Sequence, residues 1–578
     1  MNRFRIKIGG ASGGGLLSTG EIIIRALRDM GFYAVADREY PSVIKGGHAC
    51  FTINISDKPV RALSEKVDVL MAMDALSMEK YIDGLKDGGV FVHGHGRVVG
   101  VKEVLASAAG RGVLVVGHDA RVIAENAGGN VLMKNVVLVG MLWKAMGLDY
   151  KFIEDEVKRK FASKPRLLAI DLECLKAGYD AAEQVLSLPF SGGAAGADMI
   201  MMDGNHAIAL GGIHAGCRAY YAYPMSPSSS ILTHMANYAD ATGMLVKQVE
   251  DEISVVNMTL GSMAMGTRAL CATSGGGYDL MTETVSLAGI IECPLVVVIA
   301  QRPGPATGLP TWTCQSDLHL AVYAAHGEFP RAVIAVSDAE DAFELTQHAL
   351  NIAEKFQSPV TVLTEKLIAE SLWSIKPFKL GTVPIERGLV EDASELAALV
   401  SEDRYRITSA GLSKRWNPGA CDAYYHANSD EHLEDGSLTE DAEPARLMIA
   451  KRMKKLKLIE EALPEPVVYG EAAGADISFV GWGSTKNTIL DIIDIYTEKG
   501  IKVNYLHYSY IFPLKLEVAR KFFADNSRVC LVEGNYQGQL GMMLEAALGV
   551  KFADRLLKWD GRPFFLEDLE KFIEKNNG

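Results

Sequence analysis

No CxxC pair occurs anywhere in this sequence. Its eight cysteines, Cys50, Cys174, Cys217, Cys271, Cys293, Cys314, Cys421 and Cys530, are scattered. That spacing argues against a disulfide framework, an iron–sulfur cluster or a zinc site within the chain, and most of them read as small buried apolar residues. Positive charge is also short: 58 basic against 72 acidic side chains give a net charge of −14. A basic face is what bulk nucleic-acid binding and anionic membrane surfaces require, so neither is expected as a partner. Long apolar runs are missing too. The longest, around 290–300, is broken by Glu292 and Pro294 and is too short to span a bilayer. The opening "MNRFRIKIGG" has no apolar h-region and goes straight into a strand pattern. Together these features predict a cytoplasmic protein.

What is present is ordinary globular composition, 48% apolar and 22% charged, in 578 residues. That length is too great for one core and predicts three or four domains. Residues 4–8, "FRIKI", read as a strand, "GGASGGG" follows, then a helix over 16–30 and a strand over 32–36. Further strands are predicted at 68–72, 90–93 and 113–116, giving a doubly wound α/β domain to about residue 185. The loop invites a dinucleotide reading, and Asp37 stands roughly where a ribose-binding acid would. The GxGxxG spacing fails, however, and no GxxxxGK[ST] occurs. The glycines supply close backbone approach, either to a phosphate or to another element.

A second unit begins near Asp198. Its Ala/Gly-rich helix leads to a strand ending at Tyr223 and then to "YPMSPSSS", where two prolines in four residues forbid helix and strand alike. Such a rigid loop at a strand's C-terminal end is where open α/β sheets put ligands. The hydroxyls of Ser226, Ser228, Ser229 and Ser230 are either helix caps or ligand donors. Three acids, Glu250, Asp251 and Glu252, come next, directly ahead of an apolar helix, where capping is the simple explanation. Strand 269–273, the Gly275-Gly276-Gly277 turn, a helix and strand 295–300 follow. Arg302 sits at the mouth of "QRPGPATGLPTWTCQSD", another Pro/Gly-rich strand-end loop, and strands 331–336 and 359–363 complete the unit. Residues 376–465 are charge-rich with few periodic strands and read as a connecting arm, with "AKRMKKLKLIEEAL" as a solvated helix. A third α/β unit starts at Val467, with strands at 477–480, 502–506 and 528–532.

These loops together resemble the 2-oxoacid:ferredoxin oxidoreductases. "YPMSPSSS", "QVEDEISVVNMTLGSMAMGTRALCATSGGGYDLMTE", "QRPGPATGLPT", "GNHAIALGGIHAG", "GWGSTK", "EGNYQGQL" and "WDGRPF" are similar to that family's motifs, in the family's order. "GGASGGG" and "REYPSVIKGGHACFTI" resemble its small γ domain. The resemblance covers nearly the whole chain and is to a fused γ–α subunit, most like the 2-oxoglutarate type. It implies a γ domain over 1–185, a domain over 195–375 that binds the pyrimidine of thiamine diphosphate, the connecting arm over 376–465, and a transketolase-C-terminal-like α/β domain over 466–578. It further implies a β subunit carrying Mg2+, the diphosphate-binding GDG motif and the [4Fe–4S] cysteines. This chain has neither GDG nor CxxC. CoA as co-substrate, ferredoxin or a similar low-potential carrier, and a dimer of heterodimers belong to the same expectation.

Thiamine activation needs a carboxyl group against the aminopyrimidine nitrogen. Matching Gly261 and Gly266 to the family's spacing puts that acid at Glu252, with Glu250 and Asp251 left as capping or rim charges. Tyr223 and Pro224 fall in the cofactor-binding loop, Ser226 where the family has a substrate-contacting threonine, and Arg302 where an arginine pairs with the 2-oxoacid carboxylate. The chain departs from the family at Ser226, at Gly276 in place of proline, at Trp312 and Cys314, and at Lys45 in place of arginine. Hence 2-oxoglutarate rests on the fused architecture, and pyruvate, branched-chain or aryl 2-oxoacids are the alternatives. A nucleotide- or NAD-binding protein and a catalytically silent scaffold are the more distant ones.

Overall fold

The computed structural model describes residues 2–42, 47–95, 101–398 and 403–577. The described residues form an α/β fold with three sheets of eight, seven and five strands. It divides into two compact units: Met1–Met202 with Ser371–Pro377 and Phe564–Gly578, and Asp203–Glu370 with Phe378–Pro563. No described helix is long and apolar enough to cross a membrane.

The first unit holds the eight-stranded sheet. Its order is Leu114–Gly117, Leu85–His93, Val67–Ala72, Phe4–Ala11, His48–Ser56, Tyr33–Glu39, Leu372–Ile375 and Ile200–Met202. Alternation along the strands sends Ile6, Ile8, Val69 and Met71 into one core, and Cys50, Leu70, Ala72 and Phe91 into the other. Helices therefore cover both faces, as expected. The sheet is nonetheless mixed. His48–Ser56 runs antiparallel between Phe4–Ala11 and Tyr33–Glu39, and two short strands from beyond residue 185 extend the edge. The Gly-rich loop serves packing in part: a side chain on Gly9 would meet Ser77 Cβ at 2.9 Å. Asp37 is buried, with its Oδ1 accepting a hydrogen bond from Ser371 Oγ at 2.9 Å.

In the second unit the seven-stranded sheet runs Tyr510–Phe512, Ala332–Ala335, Pro359–Glu365, Leu295–Gln301, Ala269–Thr273, Ala219–Ala222 and Leu245–Gln248. All but Tyr510–Phe512 are parallel. The five-stranded sheet, Val467–Gly470, Val503–Tyr508, Ile477–Trp482, Val529–Glu533 and Asp554–Leu557, shares its apolar core.

The helix predicted as solvated, which spans Ala442–Ala462, is not solvated along one face. Met448, Lys451, Lys455 and Ile459 form a buried stripe at helical spacing. Lys451 Nζ meets Glu292 Oε1 at 2.5 Å, Lys455 meets the other Glu292 oxygen, and all three side chains are fully buried. The lysines read as solvent-facing because their anion lies more than a hundred residues away in the chain. The preceding segment is also anchored. Arg404 donates to Gln357 Oε1 at 2.8 Å and Arg415 to Glu354 Oε1 at 3.1 Å.

Candidate active site

Four neighbouring parallel strands, Leu245–Gln248, Ala219–Ala222, Ala269–Thr273 and Leu295–Gln301, end along one edge of the seven-stranded sheet. Because they are parallel, their C-terminal loops emerge together. These are the loops that carry Glu252, Ser226, the triple glycine and Arg302.

Glu252 opens the helix Glu252–Ala264, and Asp251 is its N-cap, accepting from Ser254 N at 2.8 Å. The capping explanation thus belongs to Asp251. Glu252 is buried, 4% exposed, and its Oε1 has no hydrogen-bond partner among the described residues. Buried acceptors are ordinarily satisfied, so this oxygen is an exception that calls for an explanation. It lies beside the turn that starts the helix Gly275–Ile290: a Cβ on Gly277 would be 2.8 Å from Glu252 Oε1 and 2.0 Å from Thr273 Oγ1. Only glycine at 277 lets the carboxylate come so close.

Ser226 and Arg302 are brought together. Arg302 Nη1 donates to the Ser226 carbonyl at 2.8 Å. The arginine is half-buried, and burial lowers its pKa while Asp317 opposes the shift. Ser228 Oγ donates to Met225 O at 2.8 Å, and Ser230 Oγ accepts from Asn205 Nδ2 at 2.7 Å, so these hydroxyls stabilise the loop and do not cap by side chain. Tyr223 and Pro224 are exposed at the strand's end.

Asp317 was not evident in the sequence, because "SD" ahead of an apolar helix reads as a cap. The structure gives it no side-chain cap bond. Its Oδ2 is instead buried without a partner among the described residues, 2.5 Å from where a Cβ on Gly275 would stand. Burial first, then Asp279, pushes its carboxyl up to about 7 against the pull of Arg302. Trp312, one of the departures from the family pattern, is covered by the Arg562 guanidinium at 3.3 Å from the ring centroid. Cys314 is buried, and Lys45 lies outside the described residues.

Comparison with known proteins bears on this edge directly. Residues 211–446 match a family model described as "Pyruvate flavodoxin/ferredoxin oxidoreductase, thiamine diP-bdg", and residues 5–181 match "Pyruvate ferredoxin/flavodoxin oxidoreductase". The 2-oxoacid:ferredoxin oxidoreductase subunit alpha of a Sulfolobus species is 31% identical over 98% of this chain and 96% of its own length. The chain belongs to the 2-oxoacid:ferredoxin oxidoreductase alpha-subunit family. As such an alpha subunit it is part of an oxidoreductase. The 2-oxoglutarate oxidoreductase subunit KorA of Mycobacterium tuberculosis is 26% identical over 98% of this chain and 90% of its own. A solved 2-oxoglutarate:ferredoxin oxidoreductase from Magnetococcus marinus, with 2-oxoglutarate, coenzyme A and succinyl-CoA bound, superposes with a TM-score of 0.91 at 29% identity, covering all of both chains.

Proposed function

We propose that this chain is the fused γ–α subunit of a thiamine-diphosphate-dependent enzyme that decarboxylates 2-oxoglutarate oxidatively to succinyl-CoA and passes the electrons to ferredoxin. It works with a β subunit that supplies Mg2+, the diphosphate-binding motif and the [4Fe–4S] cluster, in a dimer of heterodimers. The observation that carries the reading is the partnerless, buried Oε1 of Glu252 beside Gly277. An orphaned carboxylate oxygen in a glycine-made cradle fits a ring nitrogen that needs a proton-sharing partner.

When bound, thiamine diphosphate supplies an acidic thiazolium C–H and an electron sink for decarboxylation. Glu252 is the residue that would hold the pyrimidine and exchange a proton at Oε1. The exposure of Tyr223 and Pro224 at the end of their strand suits a cofactor shared with a second chain. Arg302 binds the substrate's carboxylate, and its bond to the Ser226 carbonyl holds the two residues together. Asp317 tunes the charge around Arg302. The choice of 2-oxoglutarate is supported by the bound ligands named for the Magnetococcus marinus enzyme and by the KorA relative.

The test is co-expression with the β subunit, followed by CoA-dependent reduction of a viologen with 2-oxoglutarate, pyruvate, a branched-chain and an aryl 2-oxoacid. The highest kcat/KM is expected with 2-oxoglutarate. A preference for another oxoacid would move the specificity, and no turnover with any of them would overturn the reading.

A further inference from the structure

Beside the Ser-rich loop stands a group of side chains that the oxoacid chemistry does not use. Asp203 caps the helix Gly204–His214 through Oδ1, which accepts from His206 N at 2.8 Å. Its second oxygen, Oδ2, faces His234 Nε2 at 3.9 Å. His234 lies on the neighbouring helix, Ser229–Thr242. The His206 and His234 rings stack with centroids 4.1 Å apart and planes within 1°. Tyr238, one turn beyond His234, holds His206 Nε2 at 3.0 Å. One ligand atom from each of Asp203, His206 and His234 lies within 4.8 Å of the others, and all three residues are half-buried.

We infer that Asp203, His206 and His234 form a binding site for a divalent transition cation of the zinc class. Two imidazoles and one carboxylate, partly shielded from water, are a donor set that suits Zn2+ and Co2+. Bonds of about 2.0–2.1 Å at tetrahedral angles would bring ligand atoms to roughly 3.3–3.5 Å. Closure therefore draws His234 toward Asp203 by about half an ångström and turns the rings out of their stack. The partners are already in place around this movement. Asp203 is fixed by its helix cap, and Tyr238 orients His206 as an outer-shell partner orients a ligating histidine.

The site's position gives the cation a consequence. Asn205, between Asp203 and His206, donates through Nδ2 to Pro227 O at 2.8 Å and to Ser230 Oγ at 2.7 Å. Ser230 and His234 belong to the same helix, which begins at the loop carrying Ser226. A bound cation clamps together the two helices that hold this loop.

Binding is read without turnover, so it fails or succeeds apart from the oxoacid assignment. The full chain is stripped of metal and titrated with Zn2+ under a metal buffer, with Co2+ absorption as a second readout. We expect one Zn2+ per chain and visible Co2+ d–d bands. Asp203→Asn, His206→Gln and His234→Gln are each expected to weaken binding by about tenfold or more. Asp203→Asn keeps a capping side chain and decides the matter if a histidine variant folds poorly. No bound equivalent, or an affinity unchanged in Asp203→Asn and the folded histidine variants, overturns the site.

Discussion

The carboxylate of Glu252 approaches Gly277 so closely that a methyl group on that glycine would stand 2.8 Å from Oε1. The neighbouring Gly276 is open, with nothing nearer to its Cβ position than Ala306 O at 3.9 Å. The two glycines are therefore expected to behave differently. Gly277→Ala should lose about 1–3 kcal/mol of stability through overpacking and weaken cofactor binding. Gly276→Ala should be tolerated. Denaturant unfolding and thiamine diphosphate titration of the assembled complex check both.

Arg302 is predicted to act on the substrate. Removing a hydrogen-bonded guanidinium from a carboxylate costs about 1.5–3 kcal/mol, or roughly 10- to 150-fold in kcat/KM. Arg302→Ala should show that loss with 2-oxoglutarate while the affinity for thiamine diphosphate stays within a few fold. Equal loss of both would mean that the loop collapses without its bond to the Ser226 carbonyl.

Burial, then Asp279, pushes the carboxyl of Asp317 up to about 7 against the pull of Arg302. Below that pH it is neutral. Above it, a negative charge appears beside Arg302 and weakens the attraction for an anionic substrate. Thus kcat/KM should fall a few fold as the pH rises through about 7, and Asp317→Asn should flatten this limb. The sign for stability agrees: a raised acid pKa contributes stability below its unfolded value that is lost as the pH rises through the folded one. Rate profiles from pH 6 to 8.5 and unfolding curves from pH 4 to 8 test both.

In the buried cluster, burial pushes Glu292 up, but Lys455, Lys451 and Arg404 together hold it down to about 2. A depressed acid contributes stability that is present above the unfolded value near 4.5 and is lost as the pH falls toward 2. Glu292→Gln, which leaves Lys451 and Lys455 buried without their anion, is expected to cost about 3–5 kcal/mol. The loss should be read by urea unfolding at neutral pH and should shrink below pH 4.

Much of this architecture was legible in the sequence. Strands such as Ala269–Thr273 and Leu295–Gln301 are continuous apolar runs between Gly/Pro loops, and local pattern suffices to find them. His48–Ser56 was not predicted, because its place between two other strands is set by long-range pairing. Lys451 and Lys455 read as solvated for the same reason: nothing near them in the chain announces Glu292. Within the candidate site, Glu252, Ser226 and Arg302 stood out because each lies in a motif-bearing loop. Asp317 did not, since a short acid before a helix has the same local pattern whether it caps that helix or faces another one.

The central claim is that Glu252, and neither Glu250 nor Asp251, activates the cofactor. The measurement is exchange of the thiamine C2 proton for deuterium in the assembled complex, compared across Glu250→Gln, Asp251→Asn and Glu252→Gln. A first-turn or capping acid contributes about 0.3–1 kcal/mol, so the first two should exchange within a few fold of the parent. Glu252→Gln keeps its volume but loses the proton-sharing oxygen, and should slow by about 10²–10⁴-fold with the complex and its iron intact. Fast exchange in Glu252→Gln, or slow exchange confined to one of its neighbours, would contradict the account.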